Sequence, residues 1–138
     1  MSVLREASDG PSLVVCNTCR FSEEERENSE GVRGGALLVA QLRAAAEGNA
    51  AMSGLSIEEM PCLFNCAQHC SIHVRSPDKI GYVLGCFEPT AEAAQAILDY
   101  ASAYMASDEG IVPYRQWPEG VKGHFIVRIP PSGRVVRE

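Results

Sequence analysis

Five of the six cysteines fall into two tight groups: Cys16 and Cys19 form a CxxC, and Cys62, Cys66 and Cys70 form a CxxxCxxxC. Thiols spaced this closely belong in loops, and the fold must bring those loops together if the groups are to act jointly. Redox compartment decides how they are read. Residues 1–11 carry Glu6 and Asp9 where a secretory leader would be apolar, and no run approaches the roughly 18 apolar residues of a membrane span. The expectation is a cytoplasmic, soluble protein without a membrane role. In that reducing setting a disulfide framework is not the natural reading, so metal binding or thiol chemistry has to account for the cysteines. A net charge of −6, with Lys and Arg scattered, argues against nucleic acid and anionic membranes as partners. At 138 residues there is room for one core only.

Apolar patterning supplies the frame around the two loops. Residues 1–11 end in the turn formers Ser8, Asp9, Gly10 and Pro11 and read as a flexible leader. Leu13, Val14 and Val15 then form a short continuous apolar run, as in a buried central strand, that ends at Cys16. After Cys19 the stretch 23–30 is charged without an apolar face and reads as a solvated loop. Residues 34–47 are rich in helix formers, place Leu38 and Leu42 four apart, and stop at Gly48 and Asn49. A short strand over 56–60 delivers the chain to Cys62. Residues 71–75 and 80–84, separated by Ser76, Pro77 and Asp78, read as a hairpin. Thr90 caps a helix over 90–106 whose apolar face carries Ala94, Ile97, Leu98, Ala101, Tyr104 and Met105. A last strand is expected over 124–129, stopped by Pro130 and Pro131.

The order strand, helix, strand, strand, strand, helix favours a parallel pair joined by a crossover, extended by an antiparallel hairpin. The expected fold class is therefore α/β, a thioredoxin-like four-stranded mixed sheet with helices packed on it. Residues 12–110 form the domain, and residues 111–138 are a C-terminal extension packing on it, with Tyr114 and Trp117 covering the sheet. Each cysteine group leaves the end of one of two neighbouring parallel strands, where ligands gather in open α/β sheets. Together they can supply four thiolates, which suits a [2Fe-2S] cluster or one tetrahedral zinc. Cys86, apart from both groups, reads as a plain buried small hydrophobe. His69 lacks a counterpart near Cys16 and reads as an exposed loop residue rather than a Rieske ligand. A thioredoxin-type dithiol would set the CxxC at a helix N-terminus, whereas here an acidic stretch follows, which would raise the thiol pKa.

The stretch CLFNCAQHCSIHVRSPDKIGYVLGCFEPTAEAAQAIL, residues 62–98, resembles the cluster-binding half of thioredoxin-like [2Fe-2S] ferredoxins and of the small iron-sulfur subunit of respiratory complex I. Taken with VVCNTCR near the start and SDEGIVPYRQWPE and RIPP near the end, the chain from Leu13 to Pro131 is also similar to a family of predicted metal-binding proteins of unassigned function. The first resemblance implies a one-electron carrier and not an enzyme. It assigns Cys62 and Cys66 to the ferredoxin CxxxC and Cys16 to the first ligand. Cys19 is the second ligand and Cys70 its alternative, because CxxC is shorter than the spacing in those ferredoxins. A zinc-binding or metal-handling interaction protein using the same cysteines is the other reading, and a thiol redox protein using Cys66 and Cys70 a third. The resemblance further implies an unidentified redox protein partner, homodimers, and relatives in cofactor pathways such as cobalamin synthesis. The acidic stretch 23–30 reads as a solvated face or as a docking face for a basic redox partner.

Overall fold

A computed structural model describes residues 2–65 and 67–138. The chain runs β1 (Ser12–Cys16), α1 (Gly34–Ala46), β2 (Ser56–Met60), β3 (Ile72–Arg75), β4 (Gly81–Leu84), α2 (Ala91–Ala106) and β5 (Phe125–Ile129), with single 3-10 turns at Ala50–Met52, Tyr114–Gln116 and Glu119–Val121. The strands form one mixed sheet in the order β2-β1-β3-β4-β5. β1 pairs parallel with β2, Cys16 opposite Met60, and antiparallel with β3, Val15 opposite Ile72. With neighbours on both edges, every residue of β1 is buried, which is what its continuous apolar run requires. Alternate residues Leu13, Val15, Ile72, Val74 and Leu84 point to one face, where Leu38 and Leu42 of α1 and Ile97, Leu98, Ala101 and Tyr104 of α2 close the core. The Thr90 hydroxyl accepts from Ala93 N at 3.1 Å and caps α2. Gly48, at φ +71°, follows the end of α1.

The sheet has five strands, not the four expected. Residues 124–129 do form a strand, but the chain turns back and lays it antiparallel to β4, pairing Gly81 with Ile129 and Leu84 with Phe125 through an irregularity at Val83/Leu84. The outer edge of β4 would otherwise leave a row of backbone donors and acceptors unpaired. The tail is joined to α2 as well: Trp117 stacks on Phe125 at 4.3 Å, meets Tyr100 edge-on, and donates from Nε1 to the Val112 carbonyl at 2.8 Å. Residues 2–11 run beside β2, with Arg5 donating to the Glu59 carbonyl at 2.7 Å. Among the described residues no helix is long and apolar enough to cross a membrane.

The start of α1 bears most directly on the cysteine loops. Residues 20–33 leave the CxxC turn and return to it, closed by a bridge between Glu27 and Arg33 and by Asn28, whose side-chain oxygen accepts from Glu30 N and Val32 N at 2.9 Å each. The N-cap residue Arg33 makes no side-chain capping bond to α1; instead Gly35 N donates to the Cys19 carbonyl at 3.2 Å, and Arg33 Nη1 to the Thr18 carbonyl at 2.9 Å. A Cβ at Gly35 would collide with the Cys16 carbonyl oxygen, and one at Gly34 with the Arg20 carbonyl. Two glycines are thus needed for helix and loop to touch backbone to backbone. Gly35→Ala should lower unfolding free energy by about 2–4 kcal/mol, whereas Gly54→Ala, where a Cβ meets nothing within 4 Å, should stay within about 0.5 kcal/mol of wild type. Chemical denaturation of the two variants measures the difference.

Candidate metal centre

The two cysteine loops leave β1 and β2 at the same end of the sheet and are bonded to each other. Cys16 N donates to the Ser71 carbonyl at 3.1 Å and Asn17 N to the Met60 carbonyl at 3.0 Å, so the first loop lies between the second strand's end and the start of the hairpin. Cys62 N then donates to the Thr18 hydroxyl at 3.1 Å, and that hydroxyl stands 3.7 Å from Cys16 Sγ. With its oxygen accepting from Cys62, the hydroxyl proton is left for the sulfur. On the far side, Asn65 Nδ2 donates to Ser71 Oγ at 3.1 Å and Ser71 Oγ donates to the Gln68 carbonyl at 2.6 Å, which ties down the second loop.

Backbone N–H groups converge on the sulfurs. Cys16 Sγ receives those of Thr18 and Leu63, Cys19 Sγ that of Ser71 at 3.4 Å, and Cys62 Sγ that of Phe64 at 3.3 Å. Donors around a sulfur stabilise its anionic form. The Cys19 thiol, together with Thr18 and the backbone, outweighs burial and brings Cys16 down to about 5. Cys19, holding the proton it shares with Cys16 and itself buried, is pushed up. Cys70 is fully buried, and that burial, with the nearby charges of Cys16 and Cys86, pushes it up to about 12.

Cys16, Cys19 and Cys70 are therefore brought together with the Cys62 loop. Cys66 lies outside the described residues. Among the described residues no three His, Cys, Asp or Glu side chains stand in a metal ion's ligand geometry. The donor set nonetheless suits a thiolate-bound group, because Cys16, Cys19 and Cys62 each already receive a backbone N–H. Backbone strain gathers here too: Cys62, Phe64, Cys70 and Cys86 have φ of +53°, +58°, +55° and +64°, a region non-glycine residues rarely occupy and that clusters at functional sites.

Three expectations are corrected. Cys86 is exposed, not buried: past the end of β4 its backbone is left-handed, φ +64°, and its side chain faces outward, donating to Gln68 Oε1 at 2.7 Å, while the next residue, Phe87, enters the core. His69 is half-buried and lines a depression with Arg20, Ser22, Glu23 and Ala67. The acidic stretch does not raise Cys16, because the loop over 20–33 carries it away and returns the N-terminus of α1 to the CxxC. Thr18 and Ser71 were not singled out in the sequence, although each adjoins a cysteine and carries a hydroxyl able to turn a loop onto it.

The chain matches DUF1636, described as a protein of unknown function, over residues 13–131. It belongs to that family. Among solved structures this DUF1636 member is similar to a thioredoxin-like [2Fe-2S] ferredoxin from Aquifex aeolicus, with 16% identity, a TM-score of 0.52, and coverage of 93% of this chain and 100% of that one. At that identity the likeness establishes the thioredoxin-like fold. No curated protein sequence matches the chain significantly.

In the metal-free, reduced protein the Cys16–Cys19 pair should carry one thiolate at neutral pH. Because the Cys16 pKa lies below the ordinary thiol value, the thiolate is expected to vanish as pH falls through about 5. Thiolate ultraviolet absorbance across a pH titration reads this directly, and Cys16→Ser should remove the step.

Proposed function

We propose that the chain is a one-electron carrier, not an enzyme, that holds a [2Fe-2S] cluster through Cys16, Cys19, Cys62 and Cys66 and exchanges electrons with a redox protein partner. One observation carries this reading: the Cys62 loop is bonded through Thr18 to the CxxC turn, while backbone N–H groups already point at the sulfurs of Cys16, Cys19 and Cys62. The thioredoxin-like fold, shared with a [2Fe-2S] ferredoxin, supports it. A [2Fe-2S] cluster, when bound, accepts and releases one electron.

The chain's residues have separate tasks in this account. Cys16 and Cys19, from one tight turn, hold one iron, and Cys62 and Cys66 the other, so each iron takes two sulfurs from a local segment at little loop-closure cost. Thr18 joins the two loops and gives its hydroxyl proton to Cys16. Four thiolates and a net charge of −6 disfavour an added electron, which sets the potential in the lower part of the roughly −700 to +450 mV span of iron-sulfur centres.

Single substitutions test the ligand set. Cys16→Ser, Cys19→Ser, Cys62→Ser and Cys66→Ser should each lose iron or change the visible spectrum, and normal iron content in Cys62→Ser would overturn the assignment. Thr18→Val should keep iron but lower the reduction potential, because it removes a hydrogen bond to sulfur, and Thr18→Ser should restore it. Spectroelectrochemistry of the two variants decides this.

A further inference from the structure

Outside those four ligands, two more cysteines meet at the open end of the β3–β4 hairpin. The last residue pair of the ladder is Ile72 with Leu84. Two positions further along each strand come Cys70 and Cys86. The chains remain joined there, for Cys86 N donates at 2.7 Å to the His69 carbonyl, the oxygen of the peptide that leads into Cys70. The planar geometry of that peptide, taken with the hydrogen bond, keeps the two Cα atoms within about 7 Å, the upper limit of the span that a disulfide bridges.

Both residues have left strand geometry for the left-handed region, φ +55° at Cys70 and +64° at Cys86, a conformation that non-glycine residues rarely adopt. Their exposure is divided. Cys86 is exposed and Cys70 fully buried. Among the described residues each sulfur makes one hydrogen bond: Cys70 Sγ donates to the Arg20 carbonyl at 3.7 Å, and Cys86 Sγ to Gln68 Oε1 at 2.7 Å.

We propose that Cys70 and Cys86 are a dithiol–disulfide pair, with exposed Cys86 as the thiol that meets a disulfide oxidant and buried Cys70 as the thiol that resolves it. Cys86 loses its proton, and its thiolate attacks one sulfur of the oxidant RSSR, forming Cys86–S–SR and expelling RS⁻. Cys70 then loses its proton and attacks the Cys86 sulfur, forming the Cys70–Cys86 bond and expelling the second RS⁻. The two thiol protons convert both leaving groups to RSH. Two electrons pass from the cysteine pair to the oxidant, and the reverse sequence with two thiols restores the pair. Burial keeps Cys70 from the oxidant itself, so its only accessible route is the intramolecular one.

The test treats full-length protein, purified without air, with oxidised glutathione, then alkylates the denatured chain and maps the peptides by fragmentation. The wild type should give a peptide cross-linked between Cys70 and Cys86 with no glutathione retained on either. Cys70→Ser should leave glutathione on Cys86, and Cys86→Ser should leave Cys70 as an alkylatable thiol. Wild-type protein that keeps glutathione on Cys86 while Cys70 is alkylated would overturn the pairing, as would Cys86 left unreacted. Iron analysis separates this from the carrier reading: both serine variants should keep full iron, and loss of iron in Cys70→Ser would make Cys70 a ligand and end the proposal. A bridge formed in a protein that binds no iron would leave the pair standing and overturn the carrier.

Discussion

The contact on which the candidate centre rests is between backbones, where Gly34 and Gly35 bring the first turn of α1 against the carbonyls of Arg20 and Cys16. A helix end needs acceptors for its free N–H groups, and here one of them is the Cys19 carbonyl. The same contact fixes the direction of the CxxC turn and satisfies the helix, so neither can shift without cost to the other. β1 contributes the other constraint. Bonded on both edges and buried throughout, it delivers Cys16 to one position at the end of the sheet.

From that anchored turn the second loop takes its position. Thr18 reaches Cys62 N, Ser71 N reaches Cys19 Sγ, and Cys16 N reaches the Ser71 carbonyl, so both ends of the CxxxCxxxC segment are tied to the first loop. The left-handed residues Cys62, Phe64 and Cys70 are the conformational cost of folding that segment back on itself. In return, donors face sulfurs. Donors that favour the Cys16 thiolate before any metal arrives lower the cost of presenting thiolate at this place, which is the physical requirement of a thiolate-bound group.

Much of the frame is legible in the residues. The apolar run after Pro11, the Leu38–Leu42 spacing, the hairpin about Ser76–Asp78 and the Thr90 cap each correspond to an element found. The fifth strand was legible as a strand but not as a member of the sheet, because β4's need for an edge partner is a property of the assembled sheet rather than of residues 124–129. Cys86 was misread for a related reason. Hydropathy ranks cysteine as a core residue, and the left-handed backbone at Cys86, which leaves it exposed between buried Leu84 and Phe87, is a property of the assembled hairpin end that no residue type signals. The nearness of α1 to the CxxC is hidden in the sequence because residues 20–33 separate them along the chain but not in space. The excursion over 20–33 closes on itself, and Gly34-Gly35 was the available signal that two backbones meet.

Thiolate spacing alone cannot separate zinc from iron, since four cysteines serve either. What distinguishes them is stoichiometry and electron count. The most direct measurement is the iron, zinc and acid-labile sulfide content of protein purified without air, followed by reductive titration of the same sample. The account predicts two irons and two sulfides per chain, a red-brown colour, and uptake of one electron per chain. A colourless protein with one zinc per chain, no labile sulfide and no electron uptake would contradict it.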